Sequence, residues 1–304
     1  MKKIFQKLSD ENKGAALVVL SALLYGFICY FGLHVMRAGF SVYNTMLWRF
    51  ALASITLLLI LIWRGKKIKV STREILSLLL IGSVVHALGT SIYFSSTNYI
   101  STGLATVLLF TFPVGVIIFN RIFYRTKIAP IFYFSLTLIF IGIFFIVDIS
   151  SPSFDLKGFM LALSSAIFFS LYVVASKKNN SDPLFSTFLI CFGGIFVCLI
   201  FAYFDNSLAM PSTFDLWINL WALSLICTTL PILLFAKGLR FISSEKGSII
   251  SMLEPPAVML VGYILLDERI TFMQFCGSLI VLAGAAVVMI KKNTKAQLLK
   301  ENIL

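Results

Sequence analysis

Charge is what this sequence has least of. Only 12% of its 304 residues are Asp, Glu, Lys or Arg, against the roughly 25% expected of a soluble domain. Hydrophobic residues make up 59%, and the mean hydropathy is +0.98. The sequence has no G-x-x-x-x-G-K-[ST] loop, which excludes ATP hydrolysis by this chain. It has no TVGYG-like filter, which excludes a potassium channel. It also lacks H-E-x-x-H, G-x-S-x-G and any metal-ligand cluster, so no metal, no cofactor and no enzyme activity are expected. The five cysteines, Cys29, Cys191, Cys198, Cys227 and Cys276, lie in apolar runs without a CxxC pair. They fit free thiols used as small apolar side chains.

What is there is a series of long apolar runs. Lipid offers the backbone no hydrogen-bond partners, so only helices or a closed barrel can span it. Barrel strands would alternate over about ten residues, whereas these runs are continuous and about 20 residues long, the length of a membrane helix. They fall at about 14–36, 42–63, 75–95, 101–120, 128–148, 158–176, 184–204, 215–237, 243–266 and 272–290. The fold class expected is an all-α integral membrane protein of ten transmembrane helices. The basic N-terminal stretch resembles a signal peptide, but no A-x-A site follows and the apolar run continues to about Met36, so it reads as a retained first span.

The formal charge of +12 sits in short connections such as RGKKIKVSTR, which fits membrane orientation and not nucleic acid. With the N-terminus in the cytoplasm, 21 of the 25 Lys and Arg residues fall on its side. Arg37, Lys157 and Arg269 fall on the other, and Arg49 lies within a span. An odd number of spans would spoil this split, so both termini are expected to be cytoplasmic.

The two halves resemble each other at an offset of 142 to 144. KGAALVVLSALLYG (13–26) answers KGFMLALSSAIFFS (157–170), STNYIS (96–101) answers GLRFIS (238–243), and FTFPVGVIIF (110–119) answers LEPPAVMLVG (253–262). Repeats of five spans take opposite orientations in the membrane, as in secondary transporters whose substrate site lies between halves near the midplane. The expected units are 1–150 and 151–292, followed by a cytoplasmic tail at 293–304.

Buried polar groups are few, and each costs about 2.5–3.5 kcal/mol on insertion scales if ionisable, so each should face a cavity or a partner. Glu254 is the clearest, in the middle of SIISMLEPPAVMLVGYILL. Pro255 and Pro256 lack backbone N–H groups and predict a break directly after the acid, with freed carbonyls needing partners. Glu254 is thus a candidate for binding a proton or a substrate amine, with an inert structural kink as the plainer account. Thr111 and Pro113 stand at the matching turn of the first half. Arg49 is a candidate to snorkel, to pair with Glu254 or to take a substrate carboxylate. His86 shares a stripe with Thr90 and Tyr93, and its second-half counterparts are Thr228 and Thr229. A proton relay and a histidine bonded to a nearby carbonyl both fit it. Tyr25 and Tyr172, on the first helix of each half, fit cavity walls or packing anchors. Gly277 and Gly284, seven apart, predict a close helix contact.

Three stretches carry a resemblance: LLYG (23–26), LWRFALAS (47–54) and residues 239–289, where prolines follow the acid and Glu268-Arg269 leads into a Gly-rich last helix. They resemble the drug/metabolite transporter superfamily, specifically its EamA-type ten-helix members, over nearly the whole chain. YRT at 124–126 and Thr111 replace the Glu-Arg pair and the mid-helix acid in the first half. The resemblance implies a secondary active transporter of the bacterial inner membrane, working by alternating access around a cavity between helices 1, 3, 4, 6, 8 and 9. It implies a small-metabolite substrate such as an amino acid, often exported, with the lipid bilayer as the other partner and Arg49 and Glu254 in the family's positions. A coupling proton and a homodimer are compatible with it. The alternatives are an organic-anion or nucleotide antiporter, which would expect more cavity cations than Arg49 and Lys237, a vitamin or cofactor uptake carrier, and, less favoured, an intramembrane enzyme.

Overall fold

The computed structural model describes residues 9–65, 70–100, 102–146, 155–179, 181–266 and 269–290. The tail at 293–304 and Glu268 lie outside the described residues. Ten helical spans follow one another, numbered here α1 to α10. Spans α1 (Asp10–Tyr25 and Ile28–Arg37), α2 (Val42–Arg64), α3 (Thr72–Ser96), α4 (Thr102–Leu109 and Phe112–Tyr124) and α5 (Pro130–Ile146) form the first half. Spans α6 (Leu156–Lys178), α7 (Pro183–Phe204), α8 (Phe214–Gly238), α9 (Ser244–Ser251 and Glu254–Leu265) and α10 (Phe272–Ile290) form the second. Among the described residues nine spans are long and apolar enough to cross a membrane, and α5 is a shorter apolar helix.

Local chemistry sets where these helices start. Ser9, Ser41, Ser71, Asp155, Asp182, Thr213 and Ser243 each cap a span by accepting from an N–H in its first turn. A side-chain oxygen there satisfies a donor that the helix itself leaves unpaired.

The break in α9 differs from the expected one. It falls before the acid, at Met252 and Leu253, and the helix restarts at Glu254 with Pro255 and Pro256 in its first turn. Prolines are tolerated there because first-turn N–H groups have no intrahelical acceptor to lose. Span α4 is built the same way, interrupted at Phe110 and Thr111 and restarting at Phe112 with Pro113 next. Two π-helical segments were not legible in the sequence, Ile81–Ala87 within α3 and Leu225–Thr229 within α8. Such wide turns are rare, cost hydrogen-bond regularity and occur most often at functional sites.

Gly277 and Gly284 do mark a close helix pair. A Cβ on Gly277 would stand 2.6 Å from the carbonyl oxygen of Gly142, and Ser135 donates to the carbonyl of Gly284 at 2.6 Å. These small residues let α5 and α10 touch along their backbones, the usual means of helix association where lipid is as apolar as leucine.

Among the described residues the apolar core falls into four clusters. The largest cluster draws buried residues from every span except α2, from the basic end, which carries Arg64, Lys177 and Arg240, to Ile143 and Ile146 at the other end of α5. It runs from Ala15 and Val18 through Leu78, Val116, Val173 and Leu239 to Ile249 and Val288. A second cluster, with Phe50, Leu57, Leu184 and Cys191 of α2 and α7, reaches the basic end beside the Arg64–Asp182 ion pair, and two smaller clusters lie toward the opposite end. Val35, Leu52, Leu216 and Leu220 join α1, α2 and α8, while Ala105, Leu108, Ala162 and Tyr93 join α3, α4 and α6.

Candidate functional site

Arg49 and Glu254 anchor the centre of the bundle. Arg49 lies on α2 and is only 4% exposed. Its Nε donates to Thr228 Oγ1 at 2.5 Å and its Nη1 to Met46 Sδ at 3.4 Å. The guanidinium also stands 5.5 Å from the centre of the Phe50 ring. Thr228 belongs to the π-helical segment of α8 and gives its own proton to the carbonyl of Leu223 at 3.1 Å. Its lone pairs are therefore left for Arg49.

Glu254 begins the second half of α9 and is half-buried. Among the described residues its carboxylate has no hydrogen-bond or ion-pair partner. Arg49 is its electrostatic neighbour, but the two form no ion pair. One of the expected roles for Arg49, direct pairing with Glu254, is thus not realised in this conformation. A buried charge without a close partner is costly, which makes this separation informative.

Tyr25 completes the same group. It ends the first part of α1, and the next residue, Gly26, presses on α9. A Cβ there would stand 2.8 Å from that of Ala257. Only glycine lets the two backbones meet so closely, and this sets Tyr25 beside the first turn after the break. Tyr25 lies within electrostatic reach of Tyr172, Arg49, Glu254 and Cys191.

His86 sits in the π-helical segment of α3 at 3% exposure. Among the described residues neither ring nitrogen has a hydrogen-bond partner. The ring is enclosed by Tyr172 at 4.6 Å and by Phe50 and Phe169, each at 5.8 Å and edge-on. The bond to a nearby carbonyl that the sequence allowed is not made. Tyr172 in turn stacks on Phe235 at 6.3 Å. Thr229 and Ser224, at and just before the π segment of α8, are likewise buried with unpaired hydroxyls. Buried polar groups are paired in the great majority of cases, and of the five described residues with an unpaired buried atom, His86, Ser224 and Thr229 stand at or beside the π segments, with Asn44 and Ser176 elsewhere.

Two candidates lie apart from this group. The Tyr93 hydroxyl pairs with Thr106 Oγ1 at 2.9 Å within the α3–α4–α6 cluster. Thr111 donates to the carbonyl of Leu108 at 2.7 Å and so closes the break in α4. Pro113 and the paired Pro255 and Pro256 lie in the restarting turns, as described. Phe50, Phe169 and Phe235 went unread because thirty phenylalanines give no signal as to which face inward. Cys191, buried beside Arg49, is a free thiol, as are Cys198, Cys227 and Cys276; the Cys29 side chain lies outside those described. Among the described residues no group of His, Cys, Asp and Glu could hold a metal ion.

The arrangement sets one guanidinium and one carboxyl group among aromatic rings, with no ion pair between them. That suits the recognition of a small molecule carrying both charges. Comparison with known proteins agrees with a carrier. The model of the EamA-like transporter family matches residues 12–148 and again 156–290. An uncharacterized transporter, YxxF, of Bacillus subtilis is 26% identical over 97% of this chain and 96% of its own length. An uncharacterized inner membrane transporter, YicL, of Salmonella typhimurium is 25% identical over 95% of this chain and 99% of its own. The threonine/homoserine exporter RhtA of Escherichia coli is 23% identical over 81% of this chain and 83% of its own. A solved crystal structure of a protein 13% identical shares the fold, with a TM-score of 0.78 over 91% of this chain and 98% of that one. This multi-pass membrane protein is a transporter and not an enzyme, and the chain belongs to the EamA-like transporter family.

Proposed function

We propose that the protein is a secondary active exporter of a small zwitterionic metabolite, an amino acid or a close relative, in the bacterial inner membrane. The observation that carries this reading is the pair of opposite charges, Arg49 and Glu254, held in one group without touching each other. In this reading Arg49, fixed by Thr228, takes the substrate carboxylate, and Glu254 takes its ammonium group or, between substrates, a proton. Tyr25 and Tyr172 wall the site, with His86 behind Tyr172. Tyr93 and Thr111 serve from the flank, across α3 and α4.

The proposal includes two inverted five-helix repeats, residues 1–150 and 151–292, with both termini and the basic end in the cytoplasm. The two family matches support it, as do the breaks in α4 and α9 and the π-helical segments in α3 and α8, which recur in corresponding spans. The exporter name of one relative supports the direction and substrate class.

The test is flux of radiolabelled amino acids through the purified protein in liposomes, with and without a pH gradient. Zwitterionic amino acids are expected to move, and the matching amines and acids that carry one charge only are not. Transport of dianions in preference to zwitterions would overturn the reading in favour of an organic-anion carrier.

A further inference from the structure

A second polar group lies at the basic end, apart from the Arg49–Glu254 centre, and nothing above uses it. Asn120, near the end of α4, donates its Nδ2 to Ser244 Oγ at 2.8 Å and to Glu245 Oε1 at 2.6 Å. Asn120, Ser244 and Glu245 are 4%, 4% and 7% exposed. The next residue, Lys246, donates its Nζ to Glu11 Oε1 of α1 at 2.8 Å and to the carbonyl of Met289 in α10 at 3.3 Å. The first turn of α9 is thereby tied to α1, α4 and α10 by polar contacts.

We propose that the bond from Asn120 to Ser244 and Glu245 is the latch of the gate at the basic end, made in this conformation and broken when the central site opens to that side. The inference rests on the alternating-access reading above. Its physical ground is the position of the two half-helices. The second part of α4 starts at Phe112, whose ring lies 6.3 Å from Phe169, itself against His86. The first part of α9 ends at Ser251, three residues before Glu254. Each half-helix therefore runs from the central site to the basic end, and each has a break at its inner end on which to tilt. The latch fastens their outer ends together.

Residue chemistry supports a latch over plain packing. An apolar contact in a bilayer gains little over lipid and can slide, because lipid tails are as apolar as the side chains. A buried amide-to-carboxylate bond is either made or open to water, with little between, which suits two discrete states. The latch is also particular to one end. At the repeat offset of 142 to 143, Asn120 answers Gly262 or Tyr263, and Glu245 answers Thr102 or Gly103. None of these is a carboxylate or an amide, so the pair is not duplicated at the opposite end.

Hydrogen–deuterium exchange on the full-length protein in liposomes tests this without a substrate. Asn120→Asp sets a carboxylate against Glu245. It is expected to raise amide exchange several-fold in the second part of α4 and the first part of α9, and to lower it in the starts of α6 and α8 as the opposite end closes. The double variant Asn120→Asp/Glu245→Gln exchanges donor and acceptor and is expected to restore both ends. Should Asn120→Asp not insert, Asn120→Ser removes the amide without adding charge and is read in the same way. Faster exchange at the basic end alone, no change at either end, or no restoration in the double variant would overturn the latch. Opposite changes at the two ends in a protein that moves no zwitterion would leave the latch standing and remove the substrate reading. Zwitterion flux without those changes would do the reverse.

Discussion

Arg49 Nε and Thr228 Oγ1 stand 2.5 Å apart, joining α2 to the wide turn of α8 across 179 positions of sequence. The bond holds a buried cation in place by a neutral partner, leaving its charge available. Removing the hydroxyl strands a buried donor, a loss of about 1–3 kcal/mol. Thr228→Val is expected to lower the thermal unfolding temperature and to weaken the apparent affinity for substrate. Thr228→Ser should restore both, and concentration-dependent uptake measured beside thermal unfolding separates the two effects.

Glu254→Gln keeps the size of the side chain and removes its charge. Because the carboxylate has no partner among the described residues, its neutralisation leaves no other group unpaired. Insertion and folding are expected to be preserved in size-exclusion profiles while net flux is lost. Flux at the wild-type level in this variant would take Glu254 out of the mechanism.

His86 presents the reverse case. Both nitrogens are buried and unpaired among three rings, and each such group carries a penalty of about 1–3 kcal/mol. His86→Phe is therefore expected to raise the unfolding temperature while lowering transport. A fall in that temperature would mean that the imidazole makes a bond that stabilises the folded state.

Glycine substitutions should divide sharply. Gly142→Ala puts a Cβ 2.6 Å from the carbonyl of Gly277, and overpacking of this kind costs about 1–3 kcal/mol. Gly32, with no atom within 4 Å of an added Cβ, gains helix propensity instead. Gly32→Ala is expected to be neutral or stabilising by up to about 1 kcal/mol. Thermal unfolding in detergent measures both.

Much of the architecture was legible because lipid enforces it. Every span announces itself as an apolar run, since an unpaired peptide group in hydrocarbon is too costly to hide, and the Gly277–Gly284 spacing marked α10 for a close helix contact without naming its partner. Arg49 and Glu254 stood out because charges are rare at such depth. The exact place of the α9 break was missed: proline was read as the breaker, whereas it begins the restarting turn. The π segments at His86 and Thr228 leave no periodic mark, because one wide turn shifts the helical register too slightly to show in an apolar sequence. Asn120 and Glu245, at the ends of the runs 101–120 and 243–266, carry no signal of their own. Their pairing depends on two half-helices meeting 125 positions apart, which no local pattern encodes.

The two prolines at the start of the second part of α9 have a consequence for selectivity. A helix start ordinarily attracts anions through its free amides. Here Pro255 and Pro256 have none, and the amide of Ala257 is spent on the carbonyl of Leu253 at 3.2 Å. This helix start therefore offers a carboxyl group no backbone donor at these positions. On the proposed function, a zwitterion is expected to lie with its acid end toward Arg49 and its basic end toward the prolines.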